Sequence, residues 1–183
     1  MLKSDLSSYN NRWFKPGKKL KIIIWYFVNR CFFNTCIPYP NRYKIVLLKI
    51  FGSKIGNNIL IKPNVSIKYP WLLKIENNVW IGENVWIDNL ASVRIGSNVC
   101  ISQGAMLICG NHNYKKPSFD LMIGDIILEE GVWIGAKSLV CPGVTCKSHS
   151  ILTVGSVATQ NLEEYTIYQG NPAKKIKDRI IFE

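Results

Sequence analysis

The chain has 183 residues, is 48% hydrophobic, and carries 23 Lys and Arg against 12 Asp and Glu, a formal net charge of +11. This length and apolar fraction suit one compact domain and exclude a disordered polyelectrolyte, and no apolar run is long enough to span a bilayer. The six cysteines include no Cys-x-x-Cys pair, which argues against zinc and points to a reduced, cytoplasmic protein with no metal.

The charge is uneven. Residues 1–54 hold eleven Lys and Arg against Asp5 alone, a net of +10, whereas the remainder is +1, twelve against eleven. Within this segment the apolar runs Ile22 to Val28 and Ile45 to Phe51 are separated by Pro38 and Pro40, and we read them as two short helices. They are expected to cap the segment beyond residue 54, because an open sheet end exposes unpaired edges. Aromatics mixed with Lys and Arg also suit an anionic membrane surface, at the inner face for a cytoplasmic protein. A secretory leader is disfavoured, since Asn29, Arg30 and Cys31 stand where a small-residue cleavage site would follow Val28. The near-neutral remainder argues against nucleic acid, which needs cations along the folded platform.

From Ile55 the chain carries an aliphatic rung at every sixth residue: Ile55, Ile61, Ile67; Ile75, Ile81, Ile87; Ile95, Ile101, Leu107; then Leu128, Ile134, Val140, Cys146 and Leu152. A period of six fits neither an amphipathic helix nor an alternating strand. Three residues after nine of these fourteen rungs stand Asn58, Asn64, Asn78, Asn84, Asn98, Gly104, Gly131, Gly143 and Gly155, residues that tolerate positive φ at corners. The position after that is small or Val, as a cramped inward site requires. Such repeats predict an all-β solenoid, a parallel β-helix with three walls per coil over residues 55–160.

The spacing stretches to eight after Ile67, to eight after Ile87, and to twenty-one after Leu107. Each stretch follows a third hexapeptide, so the extra residues gather at one corner of a triangular prism. Asp88 and Asn89 are thereby predicted about one coil, roughly 4.8 Å, from the base of the inserted loop 109–126. That loop carries His112, one of two histidines, within Gly110-Asn111-His112-Asn113-Tyr114. Long loops in compact domains are often functional, and imidazole exchanges protons near neutral pH, so His112 is a candidate general base. His149 falls instead on a corner position, where histidine is tolerated for backbone reasons. Cys146 is an inward rung, and Cys109 sits at the loop base, where exposure is one reading but no histidine at a predictable distance marks it as a nucleophile. In residues 161–183 we expect a short helix capped by Asn171 with Pro172 in its first turn, Ile176 and Ile180 on one face, and Lys174 and Lys177 projecting elsewhere.

The ladder, the His112 loop, Gly131-Val132-Trp133-Ile134-Gly135-Ala136, Cys141-Pro142-Gly143-Val144 and Gly170-Asn171-Pro172-Ala173 resemble the hexapeptide-repeat acetyltransferases. The likeness runs from about Trp25 to Arg179 and is greatest to acetyltransferases of colanic acid and other polysaccharide biosynthesis. Maltose and galactoside O-acetyltransferases are further relatives. The resemblance implies a left-handed coil, against the usual crossover hand. It also implies a homotrimer with acetyl-CoA, the acyl donor, between subunits, and a sugar or glycan acceptor.

By the same resemblance His112 is the catalytic base, Asp88, with Asn89 and Asn113 beside it, contacts the acceptor, and Gly135, Ala136, Val154, Gly155 and Thr159 line the donor groove. Lys174 and Lys177 approach the CoA phosphates. The chain departs from the family pattern in three places. Asn113 cannot supply the carboxylate that many relatives place after the histidine. Thr153-Val154-Gly155-Ser156 replaces a smaller run, and Gln160 replaces a common lysine. An O-acetyltransferase acting on a polysaccharide or lipid-linked glycan is the leading reading, with a sugar N-acetyltransferase or a non-enzymatic scaffold as alternatives. A γ-carbonic anhydrase needs three zinc-binding histidines, one more than are present.

Overall fold

A computed structural model describes residues 3–182. The ladder becomes three parallel sheets, here walls A, B and C, that wrap one core. Wall A stacks Ile55, Ile75, Ile95, Leu128 and Cys146 in register. Wall B stacks Ile61, Ile81, Ile101, Ile134 and Leu152, and wall C stacks Ile67, Ile87, Leu107, Val140 and Ala158. From Ile61 onward these rungs are buried, and so are the small inward residues that follow the corners. Each burial removes apolar surface worth roughly 1.5–3 kcal/mol per large side chain, and no strand exceeding three residues is needed in the coils.

The corners behave as their residues dictate. Asn58, Asn64, Asn78, Asn84 and Asn98 lie at φ of 55–60°, and the four corner glycines and His149 are left-handed too. Lys137, three residues after Ile134, adopts φ 54° without being Asn or Gly. Between walls A and B the amides form a ladder, Asn58 Nδ2 to Asn78 Oδ1 at 3.0 Å, Asn78 to Asn98 at 3.2 Å, and Asn98 to Glu130 at 3.0 Å. His149 continues this column, its ring packed over Gly131, where an added Cβ would lie 2.1 Å from Nδ1. The histidine is structural.

The outward faces differ in character. Wall A presents Lys54, Lys74 and Arg94, wall B presents Leu60, Trp80 and Trp133, and wall C presents Trp86, Met106 and Leu139.

Helices α1 (Lys19–Val28) and α2 (Asn41–Ile50) cover the first coil, with a π-helical turn, Asn29–Phe33, continuing α1. They satisfy its open edge. Trp25 Nε1 donates to Ile67 O at 2.8 Å, Asn29 Oδ1 accepts from Ile67 N at 3.1 Å, and Asn41 Oδ1 accepts from Ile61 N at 2.9 Å. Lys44, buried, donates to the carbonyls of Ile61 and Lys62 at 3.1 and 3.0 Å, and its burial lowers the ammonium pKa. Ahead of α1 an arm runs back over the solenoid, with Asp5 N donating to Pro117 O at 2.8 Å and Trp71 Nε1 donating to Pro16 O.

The expected C-terminal helix is absent. Thr166–Gly170 joins wall B in parallel and Ala173–Asp178 folds back on it antiparallel. Wall B ends in an open edge at Ile151 and Leu152, and pairing with that edge, with Tyr168 and Ala173 packed against the core, outweighs the weak helical pattern of the segment. Asn171 and Pro172 form the reversal, with a cis bond between them and Gly170 at φ 104°. Lys174 and Lys177 are exposed on the outer strand rather than on a helix, and Arg179 pins the end by donating to Gly131 O and His149 O.

Candidate active site

The corner between walls C and A collects the insertions, as the spacing implied. Asp88 lies opposite Ile108 in register, and Cys109 N donates to Asp88 O at 3.1 Å. The chain then leaves as a ribbon, Gly110–His112 antiparallel to Leu121–Ile123, and Gly124 N returns to Cys109 O at 2.9 Å. Gly110 leaves room for the Leu90 side chain, whose Cδ1 would have to shift for a Cβ there. Cys109 is fully buried rather than accessible, and desolvation pushes its thiol up to about 11. It is not a nucleophile. Cys146 is buried too, its thiol pushed up to about 12 by the same cause.

His112 is held by the far turn of the loop. Its Nδ1 lies 2.8 Å from Phe119 O, and its ring stacks on Phe119 at 4.5 Å and 8°. A carbonyl can only accept, so Nδ1 carries the hydrogen and Nε2 presents a lone pair. The turn that aims this carbonyl places Phe119 at φ 51°, a conformation that bulky residues adopt only when surroundings impose it. Lys116 N donates to Asn113 O, Phe119 N donates to Lys116 O, and Asn113 N donates to Asp120 O, which together impose it. Tyr9 of the N-terminal arm adds a ring 5.9 Å from the imidazole. Thus a backbone carbonyl orients the ring in place of the missing carboxylate.

The acceptor candidates separate. Asp88 is largely buried, with Oδ1 2.8 Å from Lys68 Nζ in an ion pair that lacks an aligned hydrogen bond. It borders a cleft of about 350 Å³ between α1 and wall C that also includes Tyr26, Arg30, Tyr69 and Trp86. Asn89, fully buried, is not available to an acceptor. Its Oδ1 accepts from Lys68 N and Tyr69 N at 3.1 and 2.9 Å, and its Nδ2 donates to Tyr69 O at 2.6 Å, closing the corner of the coil above. Asn113 spends its oxygen on Lys115 N at 3.1 Å.

Gly135, Ala136 and Val154 meet at a different corner, between walls B and C, in a groove of about 380 Å³. Gly135 permits the coils to close, since a Cβ would fall 2.6 Å from Val154 N. Gly155 N donates to Ala136 O at 2.9 Å. The groove further includes Ser102, Gln103, Trp133 and Thr153. Gln103 was legible: it follows rung Ile101 by two residues, as Ala136 follows Ile134 and Val154 follows Leu152, but the long insertion hid the column. Narrow, with an apolar floor of Ile151 and Leu152 and backbone at its rim, the groove suits a thin pantetheine arm. Thr159 lies across wall C from it, and neither Thr159, Lys174 nor Lys177 lines it. Among the described residues no cluster of three His, Cys, Asp or Glu could hold a metal.

A parallel β-solenoid with a loop-borne, oriented histidine at one corner and a narrow groove at another fits the architecture of an acyltransferase. No family model matches the chain. It is 31% identical over 177 residues, 96% of its length and 97% of the relative's, to Escherichia coli WcaF, provisionally named as a colanic acid biosynthesis acetyltransferase. It is 27% identical to E. coli galactoside O-acetyltransferase, over 80% of this chain and 73% of that one. A galactoside acetyltransferase solved with coenzyme A superimposes with a TM-score of 0.76 at 22% identity, over 87% of this chain and 80% of that one. AntD, an N-acyltransferase from Bacillus cereus solved with dTDP and 3-hydroxybutyryl-CoA, shares the fold with a TM-score of 0.65 at 19% identity, over 78% and 90% of the two chains. The chain belongs to the hexapeptide-repeat acetyltransferase family, and its fold is that family's left-handed β-helix.

Proposed function

We propose that this acetyl-CoA-dependent acetyltransferase acylates a sugar hydroxyl of a polysaccharide or lipid-linked glycan, with His112 as general base. The observation that carries the assignment is the Nδ1 contact to Phe119 O at 2.8 Å, which leaves Nε2 free to accept a proton. Nε2 removes the hydroxyl proton as that oxygen attacks the thioester carbonyl. The carbon–oxygen bond forms, the carbon–sulfur bond breaks, and the imidazolium returns the proton to the departing thiolate. A positioned base of this kind contributes about 10²–10⁴-fold. Asp88, at the same corner as the loop, is the residue we assign to the acceptor. Lys174 and Lys177, on the exposed outer strand, remain assigned to the CoA phosphates.

His112→Ala is expected to remain folded and bind acetyl-CoA while losing transfer by at least about a hundredfold. Full activity in a folded mutant would refute the base. Mass spectrometry of candidate glycans after incubation shows the product, and release of the added acetyl by mild base separates an ester from an amide.

A homotrimer completes the site. The loop rises from the C/A corner and the groove lies at the B/C corner, so one chain does not join base and donor. The apolar outward faces of walls B and C, with Trp80 60% and Trp86 43% exposed, support burial against neighbouring copies.

Among the described residues no helix is long and apolar enough to cross a membrane. The outward residues of the helical cap, Leu20, Ile23, Ile24 and Phe27, beside Lys15, Lys18 and Lys19, support peripheral contact with an anionic bilayer. Glu at those three lysines should abolish liposome binding; unchanged binding would sink the idea.

A further inference from the structure

We propose that the outward face of wall A is a docking track for an acidic glycan, one bearing carboxylate or phosphate groups, that leads to the corner carrying the His112 loop. The inference rests on the glycan-acceptor reading and names the acceptor's charge. Lys54, Lys74 and Arg94 stand directly opposite one another on successive parallel strands, about 4.8 Å apart. Like charges so placed destabilise a sheet. The solenoid does little to offset them: Glu76 pairs with Lys74 at 2.9 Å, while Lys54 and Arg94 enter no ion pair among the described residues. A shallow pocket of about 360 Å³ follows the column, and Lys21 Nζ, 4.6 Å from the Trp71 ring centroid, extends the positive surface at its upper end.

The position of the column selects the partner. Its strands begin at the C/A corner, where Ser92 N donates to Asp125 Oδ1 at 2.9 Å and Ile126 pairs with Val93 as the His112 loop rejoins the wall. Asp125 joins Asp88 at that corner, so the track turns from cationic to mixed where an acceptor would meet the base. The column runs along the solenoid axis, away from the helical cap, so a bilayer resting on the cap meets only its first rung. It is also short, since Ile127 and Thr145 continue it uncharged. One cation per coil matches a chain of sugar-sized units, whereas a nucleic acid is tracked by a longer array.

The test is binding of labelled oligogalacturonate, a glycerol phosphate oligomer and a neutral dextran oligomer to the full chain and to the triple variant Lys54→Gln, Lys74→Gln, Arg94→Gln. The three side chains are exposed, and circular dichroism with acetyl-CoA binding checks that the fold and donor groove persist. We expect the acidic oligomers to bind, more weakly as salt rises, and the variant to bind at least one of them about tenfold less well, with the two acidic probes telling carboxylate from phosphate. Dextran should not bind. Equal binding by variant and wild type overturns the proposal, as does stronger column-dependent binding of phosphatidylglycerol vesicles or oligodeoxythymidine than of either acidic oligomer. Because binding is read without turnover, a protein that binds the acidic chain through the column yet acetylates no glycan would refute the acceptor reading and leave the track standing.

Discussion

At the residue scale, similar side chains do different work because of their backbone settings. His112 stands on a ribbon with its ring fixed by a carbonyl, whereas His149 stands at a left-handed corner with its ring spent on Gly131 and Tyr165. His149→Asn should therefore keep fold and activity, because Asn tolerates φ 57°, and His149→Val should destabilise the coil by roughly 1–2 kcal/mol in denaturant titration. Asn89 and Asp88 are adjacent but equally distinct. Asn89→Ala leaves two N–H groups and a carbonyl without their partner, so it should lower unfolding free energy by roughly 2–4 kcal/mol with acceptor KM unchanged; a raised KM in a stable mutant would return Asn89 to the acceptor site. The cysteines supply a pH test. With its thiol pushed up to about 11, Cys109 holds little thiolate at pH 8, so alkylation of the native protein should label exposed Cys31 and Cys36 and spare Cys109 and Cys146. Thiolate rises only as pH approaches the folded value, and rapid labelling of Cys109 at pH 8 would contradict its burial.

At the scale of elements, edges explain both ends of the solenoid. Lys44 is a buried cation on two carbonyls of the first coil, and Lys44→Ala should cost roughly 2–3 kcal/mol, read as a drop in melting temperature without loss of the lower coils' strand signal. Since burial lowers its pKa, the folded state disfavours the charged form at neutral pH, and that penalty eases as pH rises through the folded value towards the unfolded one. The period-six ladder was legible from Ile55 to Leu152, because those rungs and nearly every corner are stated locally by residue type; the last rung of wall C, Ala158, is too small to announce itself. The C-terminal pairing was not legible. Asn171 and Pro172 read equally well as a helix start and as a hairpin reversal, and Ala173–Asp178 carries only Ala173 and Ile176 among Lys and Asp, so the waiting edge of wall B decides. Phe119 was hidden for a similar reason: nothing in its identity announces a carbonyl aimed seven residues back.

At the scale of the whole molecule, the arrangement of corners makes a prediction that no single residue makes. The proposed base and donor groove occupy different corners of one prism, so the trimer proposed above would pair the loop of one copy with the groove of the next around a closed ring. Trp80→Glu, on the outward face of wall B, should give a folded monomer in light scattering with little transfer activity. A stronger test uses two inactive parents, His112→Ala with a disabled loop and Val154→Trp with a blocked groove. If each site draws its loop and groove from different subunits, co-refolded mixtures contain interfaces with an intact loop facing an intact groove. Random mixing in a three-membered ring creates roughly one such interface in four, so activity should rise from near zero to about a quarter of wild type. Failure to complement, with mixed trimers verified by mass, would place base and donor on the same chain and overturn the shared site.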